Sequence, residues 1–146
     1  VGSGPYGRKL RAMAGEGVAF TGAVPGERLR DIVAAADVFA MPARTRLGGL
    51  DVEGLGIVYL EAQACGVPVV AGESGGAPET VTAETGVVVD GRDTGAVAKA
   101  IAQLLLDDQR RTLMGRAGRT HVSEQFSWDV LGARLAALCG AETRRD

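Results

Sequence analysis

Cysteine is almost missing from this chain. Cys65 and Cys139 are the only two, far apart and without Cys-x-x-Cys spacing. Neither a disulfide framework nor a thiolate metal site is expected, so both are read as buried or incidental thiols. Long apolar runs are missing as well. No stretch approaches the roughly 20 residues needed to cross a bilayer, and nothing resembles a signal peptide. The expected compartment is the cytoplasm. Charge of one sign is not in excess: 16 Lys and Arg face 18 Asp and Glu, a net charge of -2. The basic residues are spread out, apart from Arg144-Arg145 near the end, so nucleic acid is not an expected partner. The single histidine, His121, lies toward a helix end beside Val122 and is read as a helix-end or packing residue, not a catalytic one. No internal repeat or low-complexity tract is present.

What remains is a chain of 146 residues with 46% apolar content, enough for one domain with a real core. Its segments alternate between strand and helix patterns, which predicts a parallel sheet covered on both faces. Val1 reads as the end of a strand and Pro5 to Ala14 as a helix, with Gly15 past its end. Val18 to Phe20 reads as a short strand, Glu27 to Ala36 as a helix, and Val38 to Met41 as a strand stopped by Pro42. A long loop then runs to Gly54. Helix Gly56 to Cys65 is closed by Gly66, strand Val69 to Ala71 follows, Gly75-Gly76 turns the chain, and Gly86 to Asp90 forms another strand. The rest is helical: Val97, Ala100, Ile101 and Leu104 mark one stripe, Leu113, Met114 and Ala117 a second, and Trp128, Leu131, Leu135 and Leu138 a third.

The stretch from Asp51 to Ala71 carries the chemistry. Glu53 stands where a glycine-rich loop enters a helix, and Glu61 lies about two turns on in an otherwise apolar segment. A lone acid on a buried helix needs a partner, which a neutral, hydroxyl-rich ligand can supply. If both residues were helical, they would be about 12 Å apart along the axis and about 80° around it. That span suits a nucleoside diphosphate sugar, with Glu53 accepting from hexose hydroxyls and Glu61 from ribose hydroxyls. Between them the amides of Leu55, Gly56, Ile57 and Val58 would form the positive helix end, where glycines let a diphosphate approach. The plain alternative is that Glu61 is exposed and Glu53 merely favours the helix dipole.

Two further patterns are read as coincidences. Gly2-Ser3-Gly4-Pro5-Tyr6-Gly7 spells the dinucleotide-binding glycine fingerprint, but that fingerprint needs a complete strand before it and an acid closing the next strand. Here Val18 to Phe20 runs into Thr21-Gly22. Asp51-Val52-Glu53 offers two acids for a divalent cation without further oxygen ligands nearby, so no metal is expected.

The whole string resembles the C-terminal, nucleotide-binding half of retaining GT-B glycosyltransferases of family four. The resemblance runs in order through Val1-Gly2-Ser3-Gly4-Pro5, Phe20-Thr21-Gly22-Ala23-Val24 and Ala35-Ala36-Asp37-Val38-Phe39-Ala40-Met41-Pro42. It continues through the paired Glu53 and Glu61, Gly75-Gly76-Ala77-Pro78-Glu79, Thr85-Gly86 and Phe126-Ser127-Trp128. Met41 to Arg46 and Gly48 to Glu53 look, more narrowly, like actinobacterial mannosyltransferases that build phosphatidylinositol mannosides from GDP-mannose. The resemblance implies a Rossmann-like α/β half of a GT-B fold: a partial donor-binding domain over 1–125 and, over 126–146, a C-terminal helix that crosses back to a missing N-terminal domain.

The same resemblance implies roles. Glu53 would contact the hexose, Glu61 the ribose, and Gly54, Leu55, Gly56, Ile57 and Val58 the phosphates. Val24 would lie at the nucleobase, with the backbone of the Thr21 to Gly26 turn reading its edge. Arg44 and Arg46 would face the diphosphate or an anionic lipid acceptor, unless they simply belong to a solvated loop. An acceptor hydroxyl would attack the anomeric carbon with retention, the departing diphosphate helping to take its proton, with no metal and no cofactor beyond the donor. The family's Arg and Lys diphosphate clamp has no counterpart in this chain, so a fragment inactive by itself is expected. A glycolipid acceptor would place the enzyme peripherally at the inner face of the plasma membrane. A non-catalytic nucleotide-sugar-binding module, or a transferase using UDP-glucose or another donor, is the alternative.

Overall fold

A computed structural model describes residues 1–140. Arg144-Arg145 and the last six residues of the expected 126–146 segment lie outside the described residues. Three strands form the sheet: β1 (Phe39–Met41), β2 (Val69–Gly72) and β3 (Gly86–Val89), in the order β1-β2-β3 and all parallel. Helix α3 (Ile57–Ala64) joins β1 to β2, and the short α4 (Ala77–Thr80) lies between β2 and β3. Before the sheet come α1 (Gly7–Met13) and α2 (Gly26–Ala34); after it come α5 (Thr94–Leu105), α6 (Asp108–Gln125) and α7 (Trp128–Leu138).

The central strand explains the layering. All four β2 residues are buried, as an apolar strand covered on both faces must be. Side chains alternate across a strand: Val69 and Ala71 join Tyr59, Ala62, Val67, Ala77 and Val81 on the α3 side. Val70 points the other way, into Ala100, Leu104 and Met114 of α5 and α6. Helix α6 also reaches the α3 side of the molecule, where Gly118 packs on Gln63 and Gly115 on the Gly66 carbonyl.

Side chains cap the last three helices. Asp93 caps α5 by accepting from the amides of Gly95 and Ala96 at 2.9 Å each, and Asp107 caps α6 by accepting from Arg110 at 2.8 Å. Ser127 caps α7 more loosely, at 3.4 Å from Val130. The far end of α3 is closed by Gly66 in a left-handed conformation, with Val67 N–H bonded to Ala62 C=O and Gly66 N–H to Gln63 C=O. Arg119 of α6 donates to the Cys65 carbonyl at 2.9 Å, which satisfies another orphan acceptor of that last turn.

Several expectations are corrected. Val1 is not strand, and neither is Val18 to Phe20; a strand exists through its ladder, and no described residue offers these segments one. Phe20 instead receives the Arg11 guanidinium on its ring face, 4.6 Å from the centroid. Helix α1 starts at Gly7, two residues later than the proline signal suggests, and α3 starts at Ile57. Helix α4 follows Gly75-Gly76 where only a turn is read from the sequence. None of α1, α2 and α7 contains a buried residue. The α7 stripe is exposed at Trp128 (88%), Leu135 (62%) and Leu138 (86%). His121 packs its ring edge-on against Phe126, 5.4 Å between centroids, as a packing residue does. Cys65 is half-buried and Cys139 exposed, both free.

The closeness of α6 to α3 depends on the missing side chain at Gly115, since a Cβ there would run into the Gly66 carbonyl. That carbonyl belongs to a tight turn and cannot yield cheaply. Gly115→Ala is expected to destabilise the protein by ~2 kcal/mol, measured as a lowered urea midpoint. An exposed glycine with open space around it, Gly132, serves as the control.

Candidate functional site

Among the described residues, α3 begins without a side-chain cap, unlike α5, α6 and α7. Its N-cap, Gly56, sits at φ 78 and ψ 53, a left-handed conformation that excludes ordinary residues. A Cβ there would also strike the Tyr59 ring. Among the described residues, no acceptor receives the N–H groups of Leu55, Gly56, Ile57 or Val58. Four unpaired donors therefore stand at and just before a positive helix end that lies past the carboxyl end of the first strand, where open α/β sheets take their ligands.

Glu53 is not helical. It lies four residues before α3 in an irregular loop, so the 12 Å helical offset to Glu61 does not apply. Its position comes instead from the turn after β2. The Glu53 amide donates to Ser74 Oγ at 3.2 Å, and the Glu53 carbonyl accepts from the Gly76 amide at 3.1 Å. Gly75 and Gly76 approach the Glu53 and Gly54 carbonyls so closely that no side chain fits at either position. Glu53 is half-buried and borders a cleft of about 280 Å³ with Arg44, Arg46, Asp51 and Pro42.

The loop before Glu53 folds into a small hairpin. Arg46 and Asp51 exchange backbone hydrogen bonds, and Arg46 Nε donates to Asp51 Oδ2 at 2.7 Å. Asp51 is thus committed to Arg46 and not to Glu53. Among the described residues, no three His, Cys, Asp or Glu side chains gather as a metal site would require. Arg44 and Arg46 are both exposed on the cleft wall.

Glu61 is exposed, against the expectation of an acid on a buried helix. The surface of α3 that is buried belongs to Tyr59, Ala62 and Gln63. Glu61 stands at a second cleft, of about 290 Å³, between α2 and α3, with Gly26, Leu29, Arg30, Val33, Ala64 and Cys65. The two acids border separate clefts: that of Glu53 is lined by residues 42–53, that of Glu61 by α2 and the later residues of α3. Gly26 of the 21–26 turn reaches the Glu61 cleft; Val24 is half-buried and does not line it.

Sequence reasoning missed Ser74 and Tyr59. Ser74 is buried between a strand end and a glycine pair, a place where a polar side chain must find partners. Tyr59 is fully buried and donates from its hydroxyl to the Met41 carbonyl at 2.6 Å, joining α3 to the end of β1. Burial raises its phenol above the ordinary value near 10, and the Glu53 carboxylate adds to that, while hydrogen bonds with the Gly72 and Ala43 backbone act in the opposite sense.

Comparison with known proteins gives the family and the fold. The family model described as glycosyl transferases group 1 matches residues 1–121. The chain belongs to this family. A GDP-mannose-dependent monoacylated alpha-(1-6)-phosphatidylinositol monomannoside mannosyltransferase of Corynebacterium glutamicum is 55% identical over 99% of this chain and 39% of its own length. A GDP-mannose-dependent alpha-(1-6)-phosphatidylinositol monomannoside mannosyltransferase of Mycolicibacterium smegmatis is 57% identical over 94% of this chain and 38% of its own. The chain therefore spans under two fifths of these relatives. Among solved structures, sucrose-phosphate synthase of Thermosynechococcus elongatus superposes with a TM-score of 0.77 at 32% identity, covering 90% of this chain and 33% of that one. This group 1 glycosyltransferase chain has the α/β architecture of the C-terminal half of a GT-B fold.

Tyr59 supplies a pH-dependent test. The folded state holds the phenolic proton more tightly than the unfolded chain does. Its contribution is complete below about pH 10 and is lost as the pH climbs from there through the folded value. Tyr59→Phe is expected to cost about 1–2 kcal/mol at neutral pH, because the Met41 carbonyl loses its donor. The gap to wild type should narrow above pH 10, as read from urea unfolding at pH 7, 9.5 and 11.

Proposed function

We propose that the protein carrying this chain transfers mannose from GDP-mannose, with retention, to a hydroxyl of a phosphatidylinositol mannoside, as a family-four glycosyltransferase. The observation that carries this reading is the 55–57% identity, along nearly the whole chain, to relatives named for that donor and that lipid. In this reading Glu53 accepts from mannose hydroxyls, and its fixed backbone aims the carboxylate. The free amides of Leu55 to Val58, with Gly54 and Gly56 lacking side chains, receive the diphosphate. Glu61 accepts from the ribose hydroxyls at the rim of the α2–α3 cleft, where its exposure leaves it open to a ligand. The nucleobase lies along the 21–26 turn near Val24.

The bond between the anomeric carbon and the diphosphate oxygen breaks as the acceptor oxygen bonds to the same face. The acceptor proton passes to the departing diphosphate. The chain's task is to stabilise the negative charge that grows on that diphosphate, which preorganised amides do without reorganising. Arg44 lines the Glu53 cleft and adds positive potential there, while Arg46 lines it with its charge offset by Asp51. No protein base, metal or resident cofactor is needed. The acceptor site and the main cationic clamp belong to an N-terminal half. The protein works in the cytoplasm, at the inner face of the plasma membrane where its lipid acceptor lies; among the described residues no helix is long and apolar enough to cross a membrane.

Glu53→Gln is expected to lower turnover by roughly 10 to 100-fold with little change in thermal stability, and Glu61→Ala to weaken GDP binding about tenfold or more. Both follow from the 1.5–3 kcal/mol of a charged hydrogen bond. Turnover assays and calorimetry with GDP-mannose and UDP-glucose check this. Unchanged affinity and turnover in both variants would remove the site assignment. Tighter binding of UDP-glucose would replace the donor, and binding without any transfer would favour a non-catalytic module.

A further inference from the structure

Glu53 is aimed by a buried hydroxyl whose own position is set elsewhere. Ser74 Oγ, 3% exposed as a residue, accepts from the Glu53 amide and lies 3.1 Å from Thr45 Oγ1. A serine hydroxyl carries one proton and two lone pairs. Glu53 N–H occupies one lone pair, and Ser74 Oγ shares a hydrogen bond with Thr45 Oγ1 in which either hydroxyl can donate, so the Thr45 side chain is the other support on which Ser74 rests. Thr45 is held in turn. Its carbonyl accepts from Arg92 Nη2 at 2.6 Å, across 47 positions of sequence.

The backbone around this relay has little room to move. Pro42 and Ala43 are wedged between two glycines: a Cβ at Gly72 would strike the Ala43 backbone, and one at Gly91 would strike the Pro42 and Ala43 carbonyls. Gly72 ends β2, and Gly91 lies in the turn after β3, where the Arg92 amide donates to Asp90 Oδ1 at 2.9 Å. The carboxyl ends of all three strands thus meet at the segment that carries Thr45.

We propose that Thr45 is a positioning residue for the transfer reaction: its hydroxyl, through Ser74, sets the backbone at Glu53, with Arg92 anchoring it from the turn after β3. The inference rests on the functional reading above for its catalytic consequence. The relay touches Glu53, assigned to the hexose, and not the amides assigned to the diphosphate. Its loss should therefore appear in kcat and not in nucleotide affinity.

Thr45→Val removes the hydroxyl and keeps the shape; Thr45→Ser keeps the hydroxyl. In the protein carrying this chain, Thr45→Val is expected to lower kcat with GDP-mannose about tenfold, leaving the GDP dissociation constant near wild type, with a modest fall in Tm because the buried Ser74 hydroxyl loses its partner. Thr45→Ser should retain wild-type kcat. A donor-free readout accompanies this: amide hydrogen exchange at Glu53 should speed up about tenfold in Ser74→Ala and in the same direction in Thr45→Val. The proposal is overturned if Glu53 exchange is unchanged in the variants that fold, or if Thr45→Ser loses as much kcat as Thr45→Val. If Ser74→Ala does not fold, exchange in Thr45→Val decides. If wild type does not use GDP-mannose, the functional reading fails, and exchange at Glu53 alone decides the relay.

Discussion

The left-handed backbone at Gly56 is the constraint on which the site depends. An ordinary N-cap residue has extended dihedrals and turns a side-chain oxygen onto the first amides of its helix, as Asp93, Asp107 and Ser127 do. Gly56 has no side chain to offer, and its conformation admits none. The cost is a helix with four unanswered donors; the gain is a place for an anion. Such an end would destabilise an isolated eight-residue helix. Here the Tyr59 bond to the Met41 carbonyl, the Gly66 cap and the burial of Tyr59, Ala62 and Gln63 hold α3 without it. The helix is stabilised from its sides and its far end, which leaves the near end free for a ligand.

Close approach of backbone to backbone does the positioning around that end. Gly72, Gly75, Gly76 and Gly91 each meet a carbonyl or amide of the 42–54 loop where a side chain would not fit. Contacts of this kind are stiffer than contacts between side chains, because neither partner has rotamers through which to retreat. The loop that carries Glu53 gains from that stiffness, since its backbone is fixed from both glycines of the turn after β2.

Where the sequence was legible, the signal was periodic or chemical. The β1, β2 and β3 segments, α3 and its Gly66 stop, and the α5 and α6 helices follow from apolar spacing and glycine placement, since burial on a sheet or helix face imposes a period; α7 is also read from its stripe, although that stripe is exposed. The glycine loop marks the uncapped α3 start, whereas Glu53 and Glu61, paired in the sequence, stand at separate clefts. What was not legible depends on contacts distant in sequence. Val18 to Phe20 has a strand's composition but no ladder among the described residues. Glu61 reads as buried because its neighbours are apolar, yet α6 packs on the face defined by Gln63 and leaves Glu61 outside. Ser74 and Thr45, 29 positions apart, have no local pattern that joins them; only the meeting of two strand ends does.

The distribution of burial bears on what this region is built to do. The two core clusters draw on residues from Val33 to Met114, while α1 and α7 at the two ends contribute nothing buried and expose Tyr6, Leu10, Met13, Trp128, Leu135 and Leu138. Stability is therefore concentrated around the sheet and α3, and the site inherits the most rigid part of the molecule. The exposed side chains of α1 and α7 add nothing to that rigidity. The Glu53 backbone is held by the turn after β2, while α3, which carries the free amides, is braced by the sheet and also by α6 through Gly115, Gly118 and Arg119.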